Sequence, residues 1–195
     1  MIEILPETPA RDACAIESLF DLTFGPGHFA RTAERLREFS RSLPALSRVA
    51  LSGGEIVGVC RVWPLRIGAS PALFYGPVAV HPGFRGRRLG LEVTAQALKA
   101  GARAGWPAAL LVGAPGYFGE IGFEVAPAGA IRMPGPQAGE RIMLQGLARE
   151  IAGISGAVEA APDLARSAPF PAPGPDQDCH EGEGRSQARQ ERGRA

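Results

Sequence analysis

The first apolar run, Ile2 to Leu5, reads as a short strand. Thr8-Pro9 follows as a helix start, because threonine can accept from free backbone N–H groups and proline fits the first helical position. Ile16, Leu19, Phe20 and Thr23 then recur on one face at the helical period. Phe24-Gly25-Pro26-Gly27-His28 ends that helix, and a second is expected over residues 29–42, with Phe29, Ala33, Leu36 and Phe39 facing inward. Arg48 to Ser52, Gly53-Gly54 and Glu55 to Trp63 predict a hairpin, since Gly-Gly suits the positive φ angles of a tight turn.

Leu73 to Val80 is a further strand with Pro77 inside it. Proline donates no ladder hydrogen bond, so pairing there is expected to be bulged or open. Leu91, Ala95, Leu98 and Ala102 form one face of the next helix, which Gly105 can end. Ala108 to Val112 reads as a buried strand, Pro115–Glu120 as a short helix, and Phe123–Ala126 and Ile142–Leu147 as strands. Beyond these the chain changes character. Residues 159–195 are rich in Ala, Pro, Gly and charge, and such a segment buries too little apolar surface to offset its ordering entropy. One domain over residues 1–158 and a disordered tail over 159–195 are therefore expected.

Composition narrows the function classes. A chain of 195 residues with a formal net charge of +1 has no global field to draw it to nucleic acid or a membrane, so attraction for anions must be local. Lys99 is the lone lysine among 21 basic residues, a bias that carries little functional weight. Cys14, Cys60 and Cys179 are widely spaced, without a Cys/His cluster, so no metal is expected. Cys14 and Cys60 sit in apolar surroundings that suit small core residues. The N-terminus lacks a basic region and an apolar run, and no stretch nears the ~20 apolar residues that span a bilayer. A reduced, cytoplasmic, soluble protein is the expectation, as monomer or homodimer.

Candidate chemistry concentrates in residues 74–90. Here a strand passes through His81-Pro82-Gly83 into a loop carrying Arg85, Gly86, Arg87 and Arg88, and a long helix follows directly. The first turn of a helix has free N–H groups and a partial positive charge, and three arginines stand beside it, an arrangement suited to phosphate. The loop lacks G-x-G-x-x-G, so it is not the dinucleotide fingerprint. A pyrophosphate cradle of another kind fits, against the plainer reading of a solvated helix start.

Two segments together resemble the GNAT acetyltransferase superfamily. Val78-Ala79-Val80-His81-Pro82 with Phe84 through Gly90 is similar to that family's fourth strand and acyl-CoA loop. Tyr117-Phe118-Gly119-Glu120-Ile121-Gly122-Phe123 is similar to its Y-x-x-x-G-F signature, and order and separation also match. Residues 1–158, with Gly113-Ala114-Pro115, look like a bacterial branch of that superfamily. The resemblance implies an α/β fold: a twisted mixed sheet of six to seven strands flanked by about four helices and splayed between strands four and five. It further implies acyl-CoA in that opening, held by the backbone of Val78, Ala79 and Val80 and by Arg85, Gly86, Arg87, Arg88, Leu89 and Gly90.

The chain departs from that pattern at two positions. Arg88 stands where the family's first loop glycine is expected, and a helical first-turn geometry is anticipated for it. Phe118 stands where a tyrosine often protonates the leaving thiolate, and phenylalanine has no proton to give. Tyr117 is the adjacent candidate acid, although neighbouring helical positions point about 100° apart. His28, in the loop bordering the implied acceptor pocket with Phe24 and Phe29, is the candidate base. His81 is expected to shape its turn, and His180 with Cys179 lies in the tail. The resemblance implies an acyl-CoA-dependent N-acyltransferase, using acetyl-CoA and an amine acceptor by direct attack in a ternary complex. A non-catalytic acyl-CoA-binding module is the alternative. A nucleic-acid binder is disfavoured by the near-zero net charge.

Overall fold

In the computed structural model, residues 1–25, 35–37, 40–136, 138–147 and 153–167 are described. Strand β1 (Ile2–Pro6) pairs antiparallel with β2 (Arg48–Ser52), and β2 turns through Gly53-Gly54 into β3 (Glu55–Ile67). β3 is longer than its apolar pattern suggested. It continues through Pro64 and returns at Gly68 into β4 (Ser70–Val80), forming a second hairpin. β5 (Ala108–Val112) runs parallel to β4, and beyond it come β8 (Ile142–Gly146) and β6 (Glu124–Val125). The path β1-β2-β3-β4-β5-β8-β6 has seven strands. β9 (Gly156–Ala160) joins the far half of β3, and β7 (Ile131–Arg132) pairs with β9.

Helices cover both faces. Helix α1 (Pro9–Phe24) packs Ile16, Leu19 and Phe20 on Val49, Val59 and Ala79. Helix α2 (Leu89–Arg103) seats Leu91, Val93, Ala97 and Leu98 on the opposite face, against Cys60, Val62, Leu73 and Tyr75. Period-two alternation divides β4 between these layers: Leu73 and Tyr75 face α2, while Ala72 and Phe74 face the other way. Fully burying one such side chain stabilises by about 1.5–3 kcal/mol. Short helix α3 (Pro115–Phe118) continues into a 3₁₀ turn over Gly119–Ile121, and α4 (Pro162–Ser167) follows β9.

Thr8 occupies the N-cap of α1, but its side chain makes no capping bond. Asp12 does the capping. Its buried carboxylate accepts from the Thr8 N–H at 2.7 Å and pairs with Arg11, so an anion of the first turn satisfies the helix entrance. Cys14 lies on the exposed face of α1, whereas Cys60 is fully buried; only Cys60 is the core residue both were expected to be. Much of the expected helix over 29–42 falls outside the described residues. Within it, Leu36 is buried as anticipated, but Arg35 and Leu36 form 3₁₀ structure and Ser40–Ser42 are irregular.

The folded part also runs past residue 158. β9 continues to Ala160, and α4 places Leu164 against the α2-side core while Asp163 accepts two bonds from Arg66 at 2.9 and 2.6 Å. Strand β9 is made by the free edge of β3, because its small residues carry little intrinsic strand preference. Residues 168–195 lie outside the described residues.

Candidate functional site

β4 and β5 pair at Leu73–Ala109 and Phe74–Leu110, and then part. Pro77 is the cause legible in the sequence. Gly76 and Pro77, joined by a cis peptide, together oppose Arg61, so the β3–β4 register shifts between Cys60–Val78 and Val62–Tyr75. The Gly76 carbonyl accepts from the Trp63 indole N–H at 2.8 Å. Past the bulge, β4 follows β3, while β5 is held on its far side by β8.

Backbone direction in this opening follows from one bond. The His81 N–H donates to the Val57 carbonyl on β3 at 2.9 Å. Strand groups alternate with period two, so Ala79 also faces β3, and the N–H and C=O of Val78 and Val80 point into the gap. Ala79, expected with them, instead sends its methyl into the α1 core and is 1% exposed.

A 3₁₀ turn over Pro82–Phe84 ends β4, and His81 shapes it: Nδ1 accepts from the Gly83 N–H at 3.2 Å. Arg85, Gly86, Arg87 and Arg88 are all exposed, and the Arg87 guanidinium lies 5.4 Å from the centre of the Phe84 ring. Arg88 is not helical, contrary to expectation. It takes the left-handed conformation, φ 60° and ψ 12°, which glycine adopts without steric cost. Its carbonyl accepts from Leu91 and Glu92, so the helical ladder starts there and the N–H groups of Leu89 and Gly90 stand before it. The Leu89 side chain is buried, so only its backbone is available to a ligand. The Arg88 guanidinium pairs with the Glu120 carboxylate at the surface.

Tyr117 and Phe118 diverge as helical neighbours must. Phe118 turns into the core, edge-on to Phe123, and fills the hollow beside Gly113, where an added Cβ would lie 2.5 Å from its ring. Tyr117 stays 37% exposed and extends to the start of α2. An added Cβ at Gly90 would lie 2.8 Å from the Tyr117 hydroxyl and 3.5 Å from Val80 Cγ2. The tyrosine therefore reaches the junction of gap and cradle. His28 and Phe29 lie outside the described residues; Phe24 is half-buried at the end of α1.

Two features had no signal in the sequence. On the α1 face, Arg61 bonds Glu7 at 3.0 and 3.2 Å and Glu17 at 2.6 Å, packed over the Phe20 ring opposite the β4 bulge. Burial lifts the Glu7 carboxyl above its ordinary range while Arg61 pulls it back, and Glu7 Oε2 has no partner. Their positions, 7, 17 and 61, show no pattern until the sheet joins them. An open depression of about 510 Å³ also lies between α1 and the β2–β3 turn, reaching from Asp12 and Leu22 to Glu55 and His81. It is on the opposite side of the sheet from α2 and is not the β4–β5 gap.

Among the described residues, no cluster of His, Cys, Asp or Glu could hold a metal, and no helix is long and apolar enough to cross a membrane. Burial pushes the Cys60 thiol up to about 12, so it carries no thiolate at neutral pH.

The fold is shared with solved structures. A GNAT family N-acetyltransferase, YhbS from Escherichia coli in complex with CoA, is similar at 24% identity and a TM-score of 0.70, covering 82% of this chain and 89% of that one. A GNAT family acetyltransferase from Brucella melitensis in complex with acetyl-CoA is similar at 22% identity and a TM-score of 0.62, covering 84% and 98%. The ribosomal-protein-S18-alanine N-acetyltransferase from Escherichia coli is similar at 14% identity and a TM-score of 0.55, covering 78% and 97%. No curated protein matches the sequence. The model of the acetyltransferase (GNAT) family matches residues 14–123, from within α1 to the end of the Tyr117–Phe123 segment. That span is more than half of the chain and contains the gap, the arginine loop and both aromatic residues, and the chain belongs to the GNAT acetyltransferase family.

Proposed function

We propose that this protein transfers an acetyl group from acetyl-CoA to an amine, acting in the cytoplasm as a monomer or homodimer. One observation carries the reading. The unpaired edge of β4 at Val78 and Val80 leads directly into the free N–H groups of Leu89 and Gly90, with Arg85, Arg87 and Arg88 exposed beside them. A ligand with amide groups and a diphosphate at opposite ends of one arm matches that sequence of partners. Acetyl-CoA has that form, and it supplies the acetyl group as a thioester.

The residues divide the work. The Val78 and Val80 backbone aligns the arm and offers N–H groups that polarise the thioester carbonyl. The cradle fixes the diphosphate by charge and by the end of the α2 dipole. A C–N bond forms as the amine nitrogen attacks, and the C–S bond breaks with its electron pair on sulfur; the surplus amine proton passes to solvent. With a thiol pKa of ~8.5, that departure proceeds without an acid. The chain's contribution is chiefly position, since holding reactants at attack distance gives effective molarities of order 10⁵–10⁸ M. Cys60 is buried and protonated, so it forms no acyl-enzyme.

Arg85→Glu with Arg87→Glu tests the cradle. CoA affinity by calorimetry is expected to fall at least a hundredfold while the circular dichroism spectrum is unchanged. Unaltered affinity in the folded double variant refutes the reading. A second reading, an acyl-CoA-binding module without turnover, draws on Phe118, which is buried at the family's tyrosine position. Acetyl-CoA consumption against a panel of amines, with product mass spectrometry, separates the two.

A further inference from the structure

We propose that Tyr117 is a binding residue for the acyl-CoA arm, its phenol hydroxyl gripping the arm at its phosphate end, and that it is not the proton donor to sulfur. This rests on the proposed use of acyl-CoA.

The argument is positional. The cradle lies just beyond the C-terminal end of β4, so an arm anchored there runs back along β4 from Val80 towards Val78 and the bulge at Gly76-Pro77. With the Val78 and Val80 backbone aligning the arm as proposed, its sulfur end would be at or past Val78. Two strand residues span about 7 Å, well beyond the ~3 Å over which a side chain passes a proton. The Tyr117 hydroxyl stands at the other end, over Gly90 and beside Val80. Any arm joining the gap to the cradle must cross that point.

The neighbours hold the tyrosine there. Phe118 is locked in the hollow of Gly113, its ring edge-on to that of Tyr117 at 4.9 Å. Two residues on, Glu120 pairs with Arg88, the residue that opens α2. Gly90 leaves the space the hydroxyl fills, and Tyr117 keeps 37% of its surface exposed. A donor fixed by rigid surroundings loses little entropy on binding.

Two variants test it, with CoA as the probe for binding and acetyl-CoA with an accepted amine for turnover. Tyr117→Phe is expected to raise the Kd for CoA about three- to tenfold, the effect of losing one neutral hydrogen bond. The KM for acetyl-CoA should rise in parallel, kcat should stay within about twofold, and the pH profile of kcat should keep its shape. Gly90→Ala places a Cβ 2.8 Å from the hydroxyl and 3.7 Å from the carbon that bears it. In the Tyr117 protein it should therefore weaken CoA both by displacing the hydroxyl and by its own bulk in the cradle, and in the Tyr117→Phe protein by its bulk alone, so the loss should be smaller there. A hundredfold loss of kcat at unchanged CoA affinity in Tyr117→Phe overturns the proposal and makes Tyr117 the acid. An unchanged Kd also overturns it. Failure of the unaltered protein to bind CoA refutes the functional reading itself, and the inference with it.

Discussion

Helix α2 carries the cradle, and its seat on β4 depends on one glycine. Gly101 faces Tyr75, the residue just before the bulge; an added Cβ would lie 2.3 Å from the Tyr75 hydroxyl, 2.9 Å from Leu73 Cδ1 and 3.3 Å from Leu147 Cδ1. On an exposed helix Gly→Ala gains about 1 kcal/mol. Here Tyr75 and Leu73 are almost wholly buried, with Tyr75 edge-on to Phe123, so neither can swing aside. Overpacking of a tight core costs about 1–3 kcal/mol, which less the helix gain leaves Gly101→Ala destabilising by up to about 2 kcal/mol net. The same hydroxyl has no hydrogen-bond partner, and a buried polar group left unmade costs about 1–3 kcal/mol. Tyr75→Phe should therefore stabilise by about 1 kcal/mol. It also removes the 2.3 Å contact, so Gly101→Ala should cost less than about 1 kcal/mol in that background. Urea unfolding of all four proteins gives the coupling directly, expected at about 1 kcal/mol or more between the two sites. If Gly101→Ala stabilises the parent protein, or if Tyr75→Phe weakens it by more than about 1 kcal/mol, this account of the α2 seat is wrong.

Asp12→Ala should lower stability by about 1–2 kcal/mol in urea unfolding, because the Thr8 N–H loses its buried acceptor, whereas Thr8→Ala should change it by less than about 0.5 kcal/mol. Burial raises both Cys60, to about 12, and Tyr75. The native state therefore keeps protons that the unfolded chain releases, so their contribution is complete below about pH 8.5 and lost as pH rises towards 12. Guanidinium unfolding should show falling stability over that window, with a shallower fall in Cys60→Ala. Deleting residues 168–195 should shift the melting temperature by less than about 2 °C and leave CoA affinity unaltered, since α4 at Pro162–Ser167 is retained; a drop of many degrees would show that the segment packs on the domain.

What the sequence determined by itself was local. Period and turn chemistry placed α1, α2, β5 and the Gly53-Gly54 hairpin, because helical and strand patterns report which face is buried. Pro77 announced the break in pairing, because a missing donor is a property of the residue alone. The arginine loop before a helix was equally legible as a place for phosphate. Tertiary structure decided what depends on partners distant in the chain. The end of β9 and the whole of α4 fall where composition alone suggested a tail, and they are ordered by the free edge of β3 and by Leu164 packing on the α2-side core. Arg88 is left-handed because the loop must turn sharply into α2, a demand its side chain does not disclose. Val78 and Val80 face the gap while Ala79 does not, because the phase of alternation is set by pairing with β3. Tyr117 meets Gly90 across 27 positions of sequence because α2 and β5 bring α3 back beside the end of β4, and it is this return that gives its hydroxyl a place at the cradle.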